Sequence, residues 1–271
     1  MAVRMAGLLG GVFVAWLCAA SCQAEGLTVI AAIEEGVSGQ AAVDVEQAAQ
    51  GVNWTMQQVY AWEAERKVTM CLTLNRLEYQ KALQRHFAMP ASEAFYLSQR
   101  TAGWTAGHFV LTNVEGLSSA TVRQRHFMHE LTHQYVYSLV DETLAAELLW
   151  LSEGLAEVVA FQASGIDGPE VWKQMLRLAP TLPYLSQLRR PGLWRRTVDV
   201  YGTPVCYAMS ALAVWRLEEA VGAEAVRNYY QQLRVNPDKV AVFANATGRG
   251  LVDFEDDFER WLAAESLRRS K

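Results

Sequence analysis

Residues 126–133 read His126-Phe-Met-His129-Glu130-Leu-Thr-His133, which places two histidines four positions apart with a glutamate after the first. On a helix, positions i and i+4 lie on one face about a turn apart. A helix here aims two imidazoles at one point. Two side chains of one helix cannot complete a tripod, so the fold must bring a third group from another element. Twenty positions after His133 the stretch Trp150-Leu-Ser-Glu153-Gly154-Leu-Ala-Glu157 offers a carboxylate. That interval lets the first helix finish, the chain turn, and an antiparallel neighbour begin.

These residue types at this spacing point to zinc. Zinc takes imidazole nitrogens at about 2.0–2.1 Å, and catalytic sites use three protein ligands plus a water. His129, His133 and Glu153 are the candidate ligands of one ion. Glu130 follows His129 and sits about 100° round the helix. There it reaches a metal-activated water without ligating, as a general base does. Val122, Phe127, Leu131, Val136 and Leu139 give the helix an apolar stripe, and Ser118 or Ser119 can cap it. Leu149, Leu151, Leu155, Val158, Val159 and Phe161 make the second helix apolar enough to bury, with Gly165 as its stop. Glu157, at i+4 from Glu153, is read as the carboxylate that accepts the spare N–H of His129 and orients the ring.

The two motifs resemble those of the gluzincin metallopeptidases, the thermolysin-like clan, and are most similar to its peptidase MA-like families. In these a His-Glu-x-x-His helix precedes a Trp-Leu-x-Glu-Gly-x-Ala-Glu helix. The resemblance runs from about residue 27 to 264. Upstream, Ala102-Gly103-Trp104 through Leu111 is similar to the edge strand bordering the cleft in this clan. Downstream, Tyr207-Ala-Met-Ser210, followed by Leu217 and Gly222, is similar to a Tyr-Ala-x-Ser helix of the family. The resemblance implies a zinc-dependent peptidase acting on peptide or protein substrates. It also implies a tyrosine hydroxyl as oxyanion donor. Tyr207 matches the family position, and Tyr201, beside Gly202, is the alternative. The edge strand lacks the Gly-x-Met-Glu-Asn motif of the related aminopeptidases, which leaves endopeptidase action as the default. The competing readings are an inactive, zinc-holding envelope binding protein and a zinc hydrolase of a non-peptide amide.

Met1 to Ala24 has Arg4, an apolar run from Ala6 to Ala20, then small residues, the pattern of a secretory signal peptide. Cleavage after Ala24 gives an exported soluble protein, periplasmic or extracellular. Cleavage after Ser21 exposes Cys22 for lipidation and a membrane tether. Residues 25–271 then form one domain, with an α/β part over 25–140 and a helical part over 141–271. About 245 residues can bury a sizeable core. A 51% hydrophobic and 20% charged composition makes the chain globular. The net charge of −5 argues against nucleic acid as a partner. Outside the leader, Cys71 and Cys206 are either two buried thiols or one disulfide.

The expected fold class is α+β. A small mixed sheet with helices fills the N-terminal half, helices fill the C-terminal half, and the zinc cleft lies between them. Strands are predicted over 27–32, 67–75 and 107–113, the last as the edge strand. Helices are predicted over 43–66, 77–87, 205–221, 223–233, 236–245 and 252–268, besides the two that carry the metal motifs. Pro180, Pro183 and Pro191 read as an irregular connection. His86 reads as a surface helix residue, His126 as a packing or surface residue, and His108 as a strand residue that can face the cleft. Arg189, Arg190, Arg195 and Arg196 read as a solvated basic loop.

Overall fold

In the computed structural model, residues 26–265 and 267 are described, together with the backbone of Val14–Ala15. The predicted leader otherwise lies outside the described residues. The architecture is mixed α+β, with strands confined to the N-terminal half and helices filling the C-terminal half. Four strands, β1 (Leu27–Ile33), β2 (Arg66–Thr73), β3 (Gly103–Ala106) and β4 (Phe109–Asn113), form a sheet in the order β1-β2-β4-β3. β1, β2 and β4 run parallel, and β3 pairs antiparallel with β4. Beyond β1, Val14 and Ala15 pair antiparallel with Ile33 and Ala32.

Alternation along the strands divides the apolar side chains between two faces. Val68, Met70, Leu72 and Val110 enter the main core, which continues without a break into the helical half. Cys71 and Leu111 enter a smaller core with Tyr79, Leu83 and Leu97, under helices α2 (Arg76–Phe87) and α3 (Ala91–Ser98). On the main face lie α1 (Gln40–Tyr60) and α4 (Ala120–Leu139), in contact with each other. After a short helix α5 (Glu142–Ala145) come α6 (Leu149–Ala163), α7 (Gly168–Leu178), α8 (Pro191–Tyr201) and α9 (Thr203–Val221). The chain ends in α10 (Glu224–Leu233), α11 (Lys239–Thr247) and α12 (Leu251–Ala264). Among the described residues no helix is long and apolar enough to cross a membrane.

Several boundaries differ from the sequence expectations, each for a local reason. The edge strand is Gly103–Ala106, and Phe109–Asn113 is an interior strand between it and β2. The turn at Gly107, with φ +54°, splits the segment read as one strand. Helix α1 stops at Tyr60, because Ala61 turns left-handed (φ 47°) and the Trp62 amide closes back on the Met56 carbonyl. The proline-marked connection contains α8, which has Pro191 in its first turn. That is where a missing N–H costs nothing.

Candidate metal centre

Helix α4 starts at Ser119, whose side chain accepts from the Val122 amide at 3.2 Å. Every residue from Phe127 to Val136 is buried, so the middle of this helix is enclosed on all sides rather than amphipathic. His129, Glu130 and His133 lie in that stretch. Helix α6 packs against both α4 and α9. A side chain at Gly154 would meet the Ser210 carbonyl oxygen of α9 at 2.3 Å. The glycine after Glu153 thus lets α9 approach, and α9 carries Tyr207, whose ring meets that of His129. At the start of α6, Trp150 is fully buried, stacks on Phe254 and lies 3.3 Å from Glu255 through its indole N–H.

Three side chains converge. His129 Nε2 and His133 Nε2 are 3.3 Å apart. Glu153 Oε2 stands 3.3 Å from the first and 3.6 Å from the second. Oε2 is buried, and no donor meets it in good hydrogen-bond geometry, with the two imidazoles as its neighbours. Bonds of about 2.0–2.1 Å to a tetrahedral zinc would separate its donor atoms by about 3.3–3.4 Å, so the triangle has the dimensions of a zinc face. A buried acceptor without a donor is costly, and a cation at this position satisfies it. The three residues fit a zinc ion on both counts.

The far nitrogen of each imidazole also has a partner. His129 Nδ1 is 2.9 Å from Glu157 Oε1. His133 Nδ1 is 3.3 Å from the Ser152 hydroxyl. The Tyr137 ring lies nearly parallel to that of His133 at 6.2 Å. Burial works to lower the pKa of His129, but the Glu153 and Glu157 carboxylates overcome it and hold the imidazole well above the usual histidine range. Burial works to raise that of Glu153, and the two imidazoles hold it well below the usual carboxylate range instead. A metal ion bound here would displace the proton from His129.

Glu130 turns to the sheet edge. Its Oε2 accepts from the Thr105 hydroxyl of β3, and its Oε1 lies 4.0 Å from His126 Nε2. Tyr207 meets the His129 ring edge-on at 5.4 Å, and Trp194 of α8 meets Tyr207 at 5.5 Å. Burial, then the charges of Glu153, Glu130 and Glu157, push the Tyr207 hydroxyl well above the usual tyrosine range. Tyr201, at the end of α8, packs against the main core. Among the described residues it makes no hydrogen bond or ring contact with the cluster.

The other singled-out residues lie elsewhere. His126 is a packed residue whose pKa burial lowers. His86 is an exposed residue of α2, as expected, with its ring stacked on Phe109 at 4.7 Å. His108 is exposed in the β3–β4 turn. Arg189 is bound to buried Glu255 through Nε at 2.6 Å, and Arg195 lies 3.5 Å from Glu93, so neither is a free loop cation. Cys71 and Cys206 are free, buried thiols, pushed up to about 12 by burial. Ser152, Thr105 and Gly103 were not foreseen as site residues. Ser152 had one signal, its place between Trp-Leu and Glu153 in the motif.

No family model matches the chain, and no curated protein does. Among solved structures the chain is similar to a two-domain M1 zinc metallopeptidase bound to L-arginine. The identity is 15% and the TM-score 0.47, over 90% of this chain and 48% of that one. The chain therefore spans about half the length of that protein.

Proposed function

We propose that this chain is a zinc metallopeptidase of the gluzincin type, with zinc held by His129, His133 and Glu153 and peptide bonds as its target. The observation that carries the reading is the triangle of donor atoms with edges of 3.3, 3.3 and 3.6 Å, close to the separation of about 3.3–3.4 Å expected between ligands of a tetrahedral zinc. Bound there, zinc supplies a Lewis acid that lowers the pKa of a water toward about 7 and polarises a carbonyl. Glu130 would act as the general base, taking a proton from the attacking water and passing it to the leaving amine. The Tyr207 hydroxyl, kept protonated by burial and nearby carboxylates, donates to the developing oxyanion. Glu157 and Ser152 fix the tautomer and tilt of the two imidazoles.

The test is a zinc-loaded digestion of a peptide library with wild type and Glu130→Gln. One zinc per chain is expected in both. Hydrolysis in the variant should fall by at least about 10²–10⁴-fold, the worth of a general base. Equal cleavage by the two proteins, or no cleavage by zinc-loaded wild type, would overturn the peptidase reading. Full zinc retention in Glu153→Ala would strike that residue from the ligand set.

A further inference from the structure

The edge of the sheet lies against the carboxylate of Glu130. β3 alternates, so Gly103 and Thr105 share one face and Trp104 and Ala106 the other. Trp104 packs on the small core around Leu97 and Leu111, which anchors the strand from behind. On the front face the Thr105 hydroxyl donates to Glu130 Oε2. A Cβ at Gly103 would stand 2.1 Å from Glu130 Oε1, 2.5 Å from Cδ and 2.9 Å from Cγ. Gly103 is not among the residues with positive φ, so this position needs glycine for room and not for backbone freedom. The carboxylate lies flat on the strand, with one oxygen gripped and the other seated where a side chain would be.

We propose that Gly103 and Thr105 are positioning residues that set the rotamer of Glu130 for proton transfer. The proposal rests on Glu130 being the general base. A glutamate has three side-chain torsions and, unheld, spreads its carboxylate over several orientations. The hydroxyl donor fixes one oxygen. The missing Cβ gives the carboxylate its seat. Neither residue touches the reacting atoms, and both act through Glu130. Misplacement of a catalytic group by about 1 Å costs on the order of 10²-fold in rate.

The experiment compares zinc-loaded wild type, Gly103→Ala, Thr105→Val and Thr105→Ser on one cleavable peptide. Gly103→Ala should lower kcat by about 100-fold while KM hardly moves. Zinc content and Tm should hold, because the displaced group is the far end of a flexible side chain. Thr105→Val should lower kcat by about 10–100-fold, the range for losing a hydrogen bond to a charged group. Thr105→Ser should restore most of it. A second readout needs no activity: thermal unfolding of metal-free Thr105→Val, Glu130→Ala and their double variant. Shifts that fail to add support the contact. Additive shifts overturn the inference, as does a Thr105→Val enzyme with wild-type kcat beside an inactive Glu130→Gln. If Glu130→Gln cleaves normally, the general-base reading fails and this assignment of roles fails with it. The thermal cycle still reports the contact in that case.

Discussion

A methyl group added at Gly154 would meet the Ser210 carbonyl oxygen at 2.3 Å and a Val214 methyl at 2.6 Å. One added at Gly103 would meet Glu130 first, whose carboxylate oxygen lies at 2.1 Å. Gly154 lies on the helical side of the site, next to Glu153, and Gly103 on the strand side, against Glu130, and the clashes are of similar size. Their consequences are not. The neighbour of Gly154 is the backbone of a packed helix, which cannot move without its whole core. The neighbour of Gly103 is the end of a flexible side chain, which can swing aside. The helical wall therefore ties the cluster to the stability of the fold, and the strand wall ties it to the aim of one carboxylate. Position of the ligands and position of the base are separable properties of this site.

The largest effect expected is Gly154→Ala. Overpacking in a well-filled core costs about 1–3 kcal/mol and sometimes more, and here a backbone oxygen is one of the obstacles. At roughly 2–4 °C per kcal/mol for a chain of this size, the Tm should fall by roughly 5–10 °C. Removing the Val214 methyls in the same chain should recover only part of the loss, since the Ser210 carbonyl remains. A Gly154→Ala protein that melts within about a degree of wild type would show that the α6–α9 crossing is not tight and would collapse the comparison.

Titration tests the helical wall without touching the cluster. Tyr60 at the end of α1 donates to Glu218 of α9 at 2.5 Å. Burial raises the Glu218 carboxyl to about 7, with the Tyr60 hydrogen bond acting against it. The folded state thus holds this proton more tightly than the unfolded chain. The resulting stability is fully present below the unfolded value, near 4.5, and is lost as pH rises through about 7. The shift corresponds to at most about 3 kcal/mol. Glu218→Gln should abolish that slope and melt higher than wild type at pH 8. Parallel stability–pH curves for the two proteins between pH 4.5 and 7.5 would mean that the carboxylate is solvated and that the α1–α9 seam is looser than described.

The same division explains what the sequence let a reader see. His129 and His133, and likewise Glu153 and Glu157, are paired by a four-residue step within one helix, so local geometry exposes them. Ser152 reaches His133 Nδ1 across two helices, and a serine in an apolar run carries no mark of that contact. Gly103 and Thr105 meet Glu130 through sheet packing, which period and propensity do not encode. Helix α8 is not expected because Pro191 reads as part of an irregular connection, while in the fold it lies in a helical first turn, as Pro169 does in α7. The end of α1 at a left-handed Ala61 has no glycine or proline to announce it.

The smallest effect is expected where the two walls meet on the outside. Helix α3 leads into β3, and α8 carries the Trp194 that stands on Tyr207. The two helices are joined by exposed side chains. Arg100 pairs with Asp199 at 3.1 Å, Tyr96 donates to Asp199 at 3.3 Å, and Arg195 lies 3.5 Å from Glu93. The guanidinium groups of Arg100 and Arg195 stand 4.0 and 4.8 Å from the Tyr96 ring centre. With side chains 40% and 43% exposed, the Arg100–Asp199 pair is worth about 0–1 kcal/mol at most. A cation over an exposed ring adds about 0.5–1 kcal/mol, and Asp199→Ala leaves that contribution in place. The variant should therefore melt within roughly 2–4 °C of wild type at low salt. At 1 M salt, where the screening length is about 3 Å, the remaining difference should vanish. If Asp199→Ala instead costs as much as Gly154→Ala and salt does not matter, this bridge carries the walls together. Base and ligands could then no longer be treated as held independently.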